Sequence, residues 1–273
     1  MKKSIVSLAI FTIVVNGFSQ EIPPKNTLTF SAGFSHLTRQ DLVFSPFIHR
    51  DVSAINIRLG YARSGKLYQQ VNLRYTNFAP MLVDPYPFFD LGEQKTAGPH
   101  NFTWLDIDYL LGKKIIQKGK SSATFGGLIS ADIQLLNYVY GRIGNTGYVF
   151  SFGLGPFIKY DYQISDKNKV SAKLQLPLAY WLARSPYLVN DDTYIENISS
   201  HSDLKSFGAF IGDGSFATLN EIQTFDLNLE YLYTLSPKWK LGADYHLAFQ
   251  HVRSPRMLLS FQNSLYFSAN FIF

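Results

Sequence analysis

Two short patterns in this chain combine residue types that can move a proton: Asp106-Ile107-Asp108 and Asp244-Tyr245-His246. On an extended strand, side chains two residues apart project from one face, so each pattern presents two polar groups side by side. An acid pair facing an acid–imidazole pair can hold a water and deprotonate it, the His acting as general base. The same spacing arises wherever a polar face alternates with an apolar one, so it also fits a strand with no chemistry. His201-Ser202-Asp203 contains triad residue types as direct neighbours, whereas a triad is assembled in space, and a solvated loop accounts for it. Gly212-Asp213-Gly214-Ser215 is turn chemistry without the strand-to-helix setting of a nucleophile elbow. His36, His49, His100 and His251 show no paired metal-ligand spacing, and no metal or cofactor is expected. The chain has no Cys, which excludes thiolate chemistry, disulfides and an amino-terminal lipid.

The elements that would position these groups read as strands. Apolar residues alternate with polar or small ones in ten segments: 28–34, 55–61, 71–75, 105–111, 125–133, 148–160, 170–180, 225–233, 241–249 and 265–273. Short turns follow the second, fourth, sixth and eighth, at 63–66, 117–120, 165–168 and 236–238. Long loops are expected after the first, third, fifth, seventh and ninth. One of them, 79–100, is rich in Pro and Phe; another, 185–220, is polar and long. A hairpin hidden in the long loops would raise the count to twelve strands.

At the front, Met1-Lys2-Lys3, an apolar run from Ile5 to Val15 and Gly17-Phe18-Ser19 form an export signal with cleavage expected after Ser19. Residues 1–19 are thus read as a signal peptide and 20–273 as one domain. No later stretch reaches the roughly 20 apolar residues of a membrane helix. Aromatic and charged residues each make up 16%, the latter well below the roughly 25% of soluble chains. The net charge of +5 includes two lysines of the signal, leaving no argument for nucleic acid. Mean hydropathy is −0.02, as expected of strands with one apolar and one polar face.

The final segment, Leu265-Tyr266-Phe267-Ser268-Ala269-Asn270-Phe271-Ile272-Phe273, has one apolar face and ends on an aromatic. It resembles the closing strand and sorting signal of Gram-negative outer-membrane β-barrel proteins. That resemblance covers the whole mature chain and implies an all-β, transmembrane, antiparallel up-and-down barrel of about ten strands. It also implies Sec export, residence in the outer membrane, contact with lipid and lipopolysaccharide, and recognition of Phe267, Phe271 and Phe273 by the barrel-assembly machinery. Short periplasmic turns would then alternate with long extracellular loops. A soluble β-sandwich also alternates, but it would not place Tyr61, Tyr75, Tyr109, Tyr180, Tyr231 and Tyr233 near the ends of an apolar face, where interfacial girdles sit.

On this phase the lumen receives Arg58, Arg74, Lys159 and Lys173 together with Asp106, Asp108, Asp132, Asp226, Glu230 and Asp244, a set able to pair internally. Ser31, Gly33, Gly126, Ser130, Ser151, Gly153 and Gly155 form a smoother wall, fit for a narrow passage or an inward-folded loop. Asp106 and Asp108 opposite Asp244 and His246 are similar to the active site of the omptin proteases, ten-stranded outer-membrane barrels. By that resemblance Asp244 orients His246, His246 is the base, and Asp106 and Asp108 hold the water. The family places these groups at the extracellular rim, whereas His246 falls nearer mid-strand. The functional expectation is a narrow or gated pore or a structural or surface-interaction barrel; the alternative is a barrel enzyme, an omptin-like protease or lipid-modifying hydrolase.

Overall fold

The computed structural model describes residues 25–82, 86–140, 143–186 and 203–273. The expected signal at 1–19, as well as His201 and Ser202, lies outside them. In chain order the elements are β1 (Lys25–Asp41), β2 (Ser45–Ser64), β3 (Tyr68–Phe78), β4 (Pro87–Asp90), β5 (Glu93–Thr96), β6 (Asn101–Lys118), β7 (Ser121–Tyr140), β8 (Ile143–Gln163), β9 (Asn168–Gln175), β10 (Ala179–Arg184), α1 (Asp203–Gly212), β11 (Ser215–Thr218), β12 (Ile222–Thr234), β13 (Trp239–Val252) and β14 (Leu258–Ile272).

Antiparallel pairing runs β8-β7-β6-β3-β2-β1-β14-β13-β12-β9, and β9 pairs back onto β8, which closes the ring. Closure leaves no strand edge, the condition for crossing a bilayer with β-structure. β10 extends the wall position of β9, and β11 that of β12, so the wall is ten strands thick around. The last strand meets the first over fifteen residue pairs, from Thr27 opposite Ile272 to Asp41 opposite Leu258. A further hairpin does occur in the 79–100 segment, as β4 and β5, but it forms its own two-stranded sheet and adds nothing to the wall.

The apolar face looks outward. Leu28, Phe30, Phe34, Ile55, Ile57, Leu59, Ile129, Leu154, Leu265 and Phe267 are all exposed on the outside, while Ser31, Asn56, Arg58, Asn72, Arg74, Asp108, Asp244 and His246 are buried inside. This is the inverse of a soluble sandwich and places the polar set in the lumen. Along β1 the outer side chains run Leu28, Phe30, Ala32, Phe34 and then His36, Thr38, Gln40, so the lipid-compatible band ends near residue 35.

Two expectations are corrected. Tyr180 does not belong to a girdle: it is buried in the lumen, bonded to the Pro177 carbonyl at 2.8 Å and Thr224 Oγ1 at 2.9 Å. Pro177 carries no N–H, and the wall strand breaks at 176–178; the side-chain phase slips by one, sending Trp181 outward and Tyr180 inward. The long loops expected after the first and fifth strands are tall hairpins: β1 and β2 run on to a turn at Leu42–Phe44, and β7 and β8 are 20 and 21 residues long. A membrane strand needs only about 9–11 residues, so about half of each rises above the apolar band. There the outer face no longer has to be apolar, and the alternation that marks a strand fades. Of the smooth wall, Gly153 is covered by Pro177 and Tyr180, while Ser130 and Ser151 border open space.

α1 packs on the outside of the wall. Phe210 stacks on Tyr148 at 4.4 Å, Phe207 lies 5.1 Å from Phe150, and Trp181 Nε1 donates to the Ile211 carbonyl at 2.8 Å.

Candidate functional site

The inward positions of the strands stack into three layers. At the level of Arg74, four side chains from three strands, Asp106 and Asp108 of β6, Asp226 of β12 and His246 of β13, converge on one guanidinium. Arg74 is opposite Asp106 across the β3–β6 ladder, and its Nε lies 3.4 Å from Asp106 Oδ2. Its Nη2 lies 3.3 Å from Asp108 and 3.8 Å from Asp226, and its Nη1 3.3 Å from His246 Nε2. His246 Nε2 is also 3.3 Å from Asp226 Oδ1. One ring nitrogen cannot accept from Arg74 and donate to Asp226 at once, so the imidazole is shared between them by tautomer. Arg58, opposite Arg74 on the neighbouring strand, turns the other way, to Asp244 Oδ2 at 2.8 Å and Ser31 Oγ at 3.0 Å, with its guanidinium over the Tyr266 ring at 4.9 Å.

The acids and the imidazole of the two sequence patterns are thus brought into one layer, but in different partnerships from those of the omptin resemblance. Asp244 pairs with Arg58 and not with His246; His246 pairs with Asp226, a residue outside both patterns. Arg74 occupies the position between the acid pair and the imidazole that a water would need. His246 Nδ1 is buried with no partner among the described residues. Of the expected lumen network, Arg58, Arg74 and Asp226 take part; Lys173 and Glu230 face the space below. A cavity of about 60 Å³, room for a water or two, borders Arg74, Asp106, Asp132, Tyr180 and Asp226.

Above this layer Arg39 Nη1 donates to Gln134 Oε1 at 2.6 Å, and Gln134 Nε2 donates to Asp132 at 2.8 Å and to Gln250 at 2.9 Å. The belt thereby ties β1, β7 and β13 across the lumen. Over it sits an apolar plug of Leu37, Phe78, Phe102, Trp104, Leu136 and Tyr138, closed by Phe44 from the β1–β2 tip. Asp41, fully buried, is held between Arg39 at 2.9 Å and Arg184 at 2.5 Å. His49 and His100 meet there with ring centroids 5.0 Å apart, and burial holds the His100 imidazole below its usual range. Sequence reading missed Arg39, Asp41 and Arg184, which stand on strand extensions read as loop, and it named His49 and His100 without the contact that brings them together.

Below the Arg58 level the lumen opens into a cavity of about 370 Å³, whose lining includes Lys25, Lys120, Lys159, Asp161, Lys169, Lys173, Glu230 and Lys240. Lys159 and Lys169 both reach Asp161, at 2.6 and 2.8 Å. Lys240 shares the inward parity of Gly242 and Asp244, the signal by which sequence could have placed it here. Phe271 and Phe273 lie around the same end, Phe271 contacting Trp239 at 5.1 Å and Phe273 at 5.8 Å, whereas Phe267 is exposed on the outer wall at mid-strand, opposite Ala32.

No family model matches this chain, and no curated protein matches it in sequence. Among solved structures, the outer membrane protease OmpT of Escherichia coli aligns with a TM-score of 0.56 at 7% identity, over 93% of this chain and 99% of OmpT. An outer membrane channel from Pseudomonas putida F1 aligns at 0.41 and 8% identity, covering 95% of this chain and 100% of that one. The translocator domain of the autotransporter NalP from Neisseria meningitidis aligns at 0.38 and 10%, covering 91% and 88%. Identities this low speak to architecture and not to activity. By its closed antiparallel ring of ten strands, apolar outside and polar within, the chain has the fold of Gram-negative outer-membrane β-barrels.

Proposed function

We propose that this chain is a plugged, non-conducting outer-membrane barrel that acts as a structural and surface-interaction protein through its tall extracellular hairpins. The observation that carries the reading is the double obstruction of the lumen, by the Arg39–Gln134–Asp132–Gln250 belt and by the apolar plug above it. Displacing either would break buried hydrogen bonds or expose aromatic surface, so a resting pore has no support. Export through the Sec pathway by residues 1–19, contact of the outer wall with lipid and lipopolysaccharide, and reading of Phe267, Phe271 and Phe273 by the barrel-assembly machinery belong to the same proposal.

The side-chain geometry speaks against the hydrolytic alternative. Asp106 and Asp108 are engaged by Arg74, Asp244 by Arg58, and the whole layer lies beneath the plug. The test is reconstitution of the full chain in planar bilayers. No unit conductance steps are expected from the wild type; reproducible steps overturn the non-conducting reading. Peptide or lipid hydrolysis by the same preparation, abolished by Asp106→Asn or His246→Ala, would establish the enzyme instead.

A further inference from the structure

The lower cavity carries a charge imbalance that the fold does not resolve. Eight cationic side chains line it against three carboxylates. Asp161 is taken by Lys159 and Lys169, and Asp244 by Arg58. Among the described residues, Lys25, Lys114, Lys120, Lys173 and Lys240 have no carboxylate within ion-pair distance, although all five border the cavity. Lys173 is the sharpest case: it is 7% exposed, and its ammonium has one neutral partner, Gln70 Oε1, at 3.3 Å. Burying an ammonium without a counter-charge is costly, and low-dielectric walls focus the field of the surrounding lysines into the space they enclose.

We propose that this cup binds a small solute carrying several phosphate groups, entering from the end of the barrel where the short turns lie. That end also holds Lys25 and Phe273 and is the periplasmic one in the orientation of outer-membrane barrels. The unpaired cations come from β1, the β6–β7 hairpin, β9 and β13, so they surround the space and do not converge on one point. A single phosphate would reach one or two of them, whereas a linear polyphosphate spans the ring. Lysine binds phosphate as a compact, rotatable point charge, and several such charges spread around one space match several phosphates along one chain. The volume of about 370 Å³ admits a chain of a few phosphates and excludes a folded partner. The inference needs the cup and not the plug: a conducting barrel with the same lining would still bind, so conductance and binding fail separately.

The experiment is calorimetric titration of inorganic tripolyphosphate into the full barrel in zwitterionic micelles at low ionic strength. Saturable binding is expected, weakened by added salt. The triple variant Lys114→Gln, Lys120→Gln, Lys240→Gln should weaken it about tenfold or more. Lys113→Gln, Lys118→Gln, Lys238→Gln, at the same end but outside the cup, should leave it unchanged. Heat-dependent gel mobility verifies that both triples are folded. Absence of saturable wild-type binding, or equal weakening by the two triples, overturns the proposal. A repeat in nanodiscs distinguishes the source of the phosphate: binding retained in phosphatidylglycerol discs supports a free solute, whereas binding lost there and kept in zwitterionic discs assigns the cup to a lipid headgroup and overturns the solute form.

Discussion

Arg74 holds three carboxylates and an imidazole in the largely buried middle of the lumen, and its removal would strand those charges. Arg74→Met is expected to destabilise the folded barrel by about 3–5 kcal/mol, the usual cost of breaking a buried ion pair by deleting one partner. Adding Asp106→Asn to that variant should recover part of the loss, because it removes one of the uncompensated charges. Guanidinium unfolding in micelles at neutral pH measures both; equal stability of Arg74→Met and wild type would mean that water reaches the layer and screens it. At this scale the sequence was half legible. The inward parity of Asp106, Asp108, Asp226, Asp244 and His246 follows from alternation, but which acid meets which base depends on the stagger between strands far apart in the chain.

Among the elements, α1 is the least expected, a short helix on the outer wall beside the tall β7–β8 hairpin. Its hold rests on Phe210 against Tyr148, Phe207 against Phe150 and the Trp181–Ile211 hydrogen bond. Phe210→Ala removes the largest of these contacts, and a fully buried Phe→Ala costs about 3–5 kcal/mol. The loss should be local: limited proteolysis would cut within 203–220 while the unfolding midpoint of the barrel stays in place, because none of the wall ladders depends on the helix. A parallel fall of the barrel midpoint would show that α1 is part of the wall's stability. The strand break at 176–178 belongs to this scale too. Pro177 marks it in the sequence, yet the change of face from Leu178 to Tyr180 appears only once β8 is paired alongside.

For the whole molecule, closure is the decisive event. β14 completes the cylinder on β1, and Phe273 adds two backbone hydrogen bonds with Asn26, at 3.0 and 3.1 Å. Deleting Phe273 removes these and the ring contact with Phe271, at the periphery of a seam of fifteen residue pairs. The expected outcome is a several-fold lower yield in the outer membrane, with unchanged tripolyphosphate affinity in the protein that does fold. Quantitative blotting of membrane fractions and the cup titration check the two halves. Unchanged yield would remove Phe273 from the assembly signal.

Alternation by itself pointed to the class, to a count of about ten strands and, except beyond Pro177, to the side of each strand that meets lipid, because a pleated strand in a bilayer must segregate its two faces residue by residue. It also put Arg58, Arg74 and Lys173 in the lumen. What only the tertiary structure decided is what fills that lumen and to what height. Above the apolar band neither face needs a strict pattern, so the tall hairpins with Arg39, Asp41, His49 and Leu136 read as loop. The plug and the cup are both made by side chains from strands brought face to face across a closed ring, and no local period records that meeting.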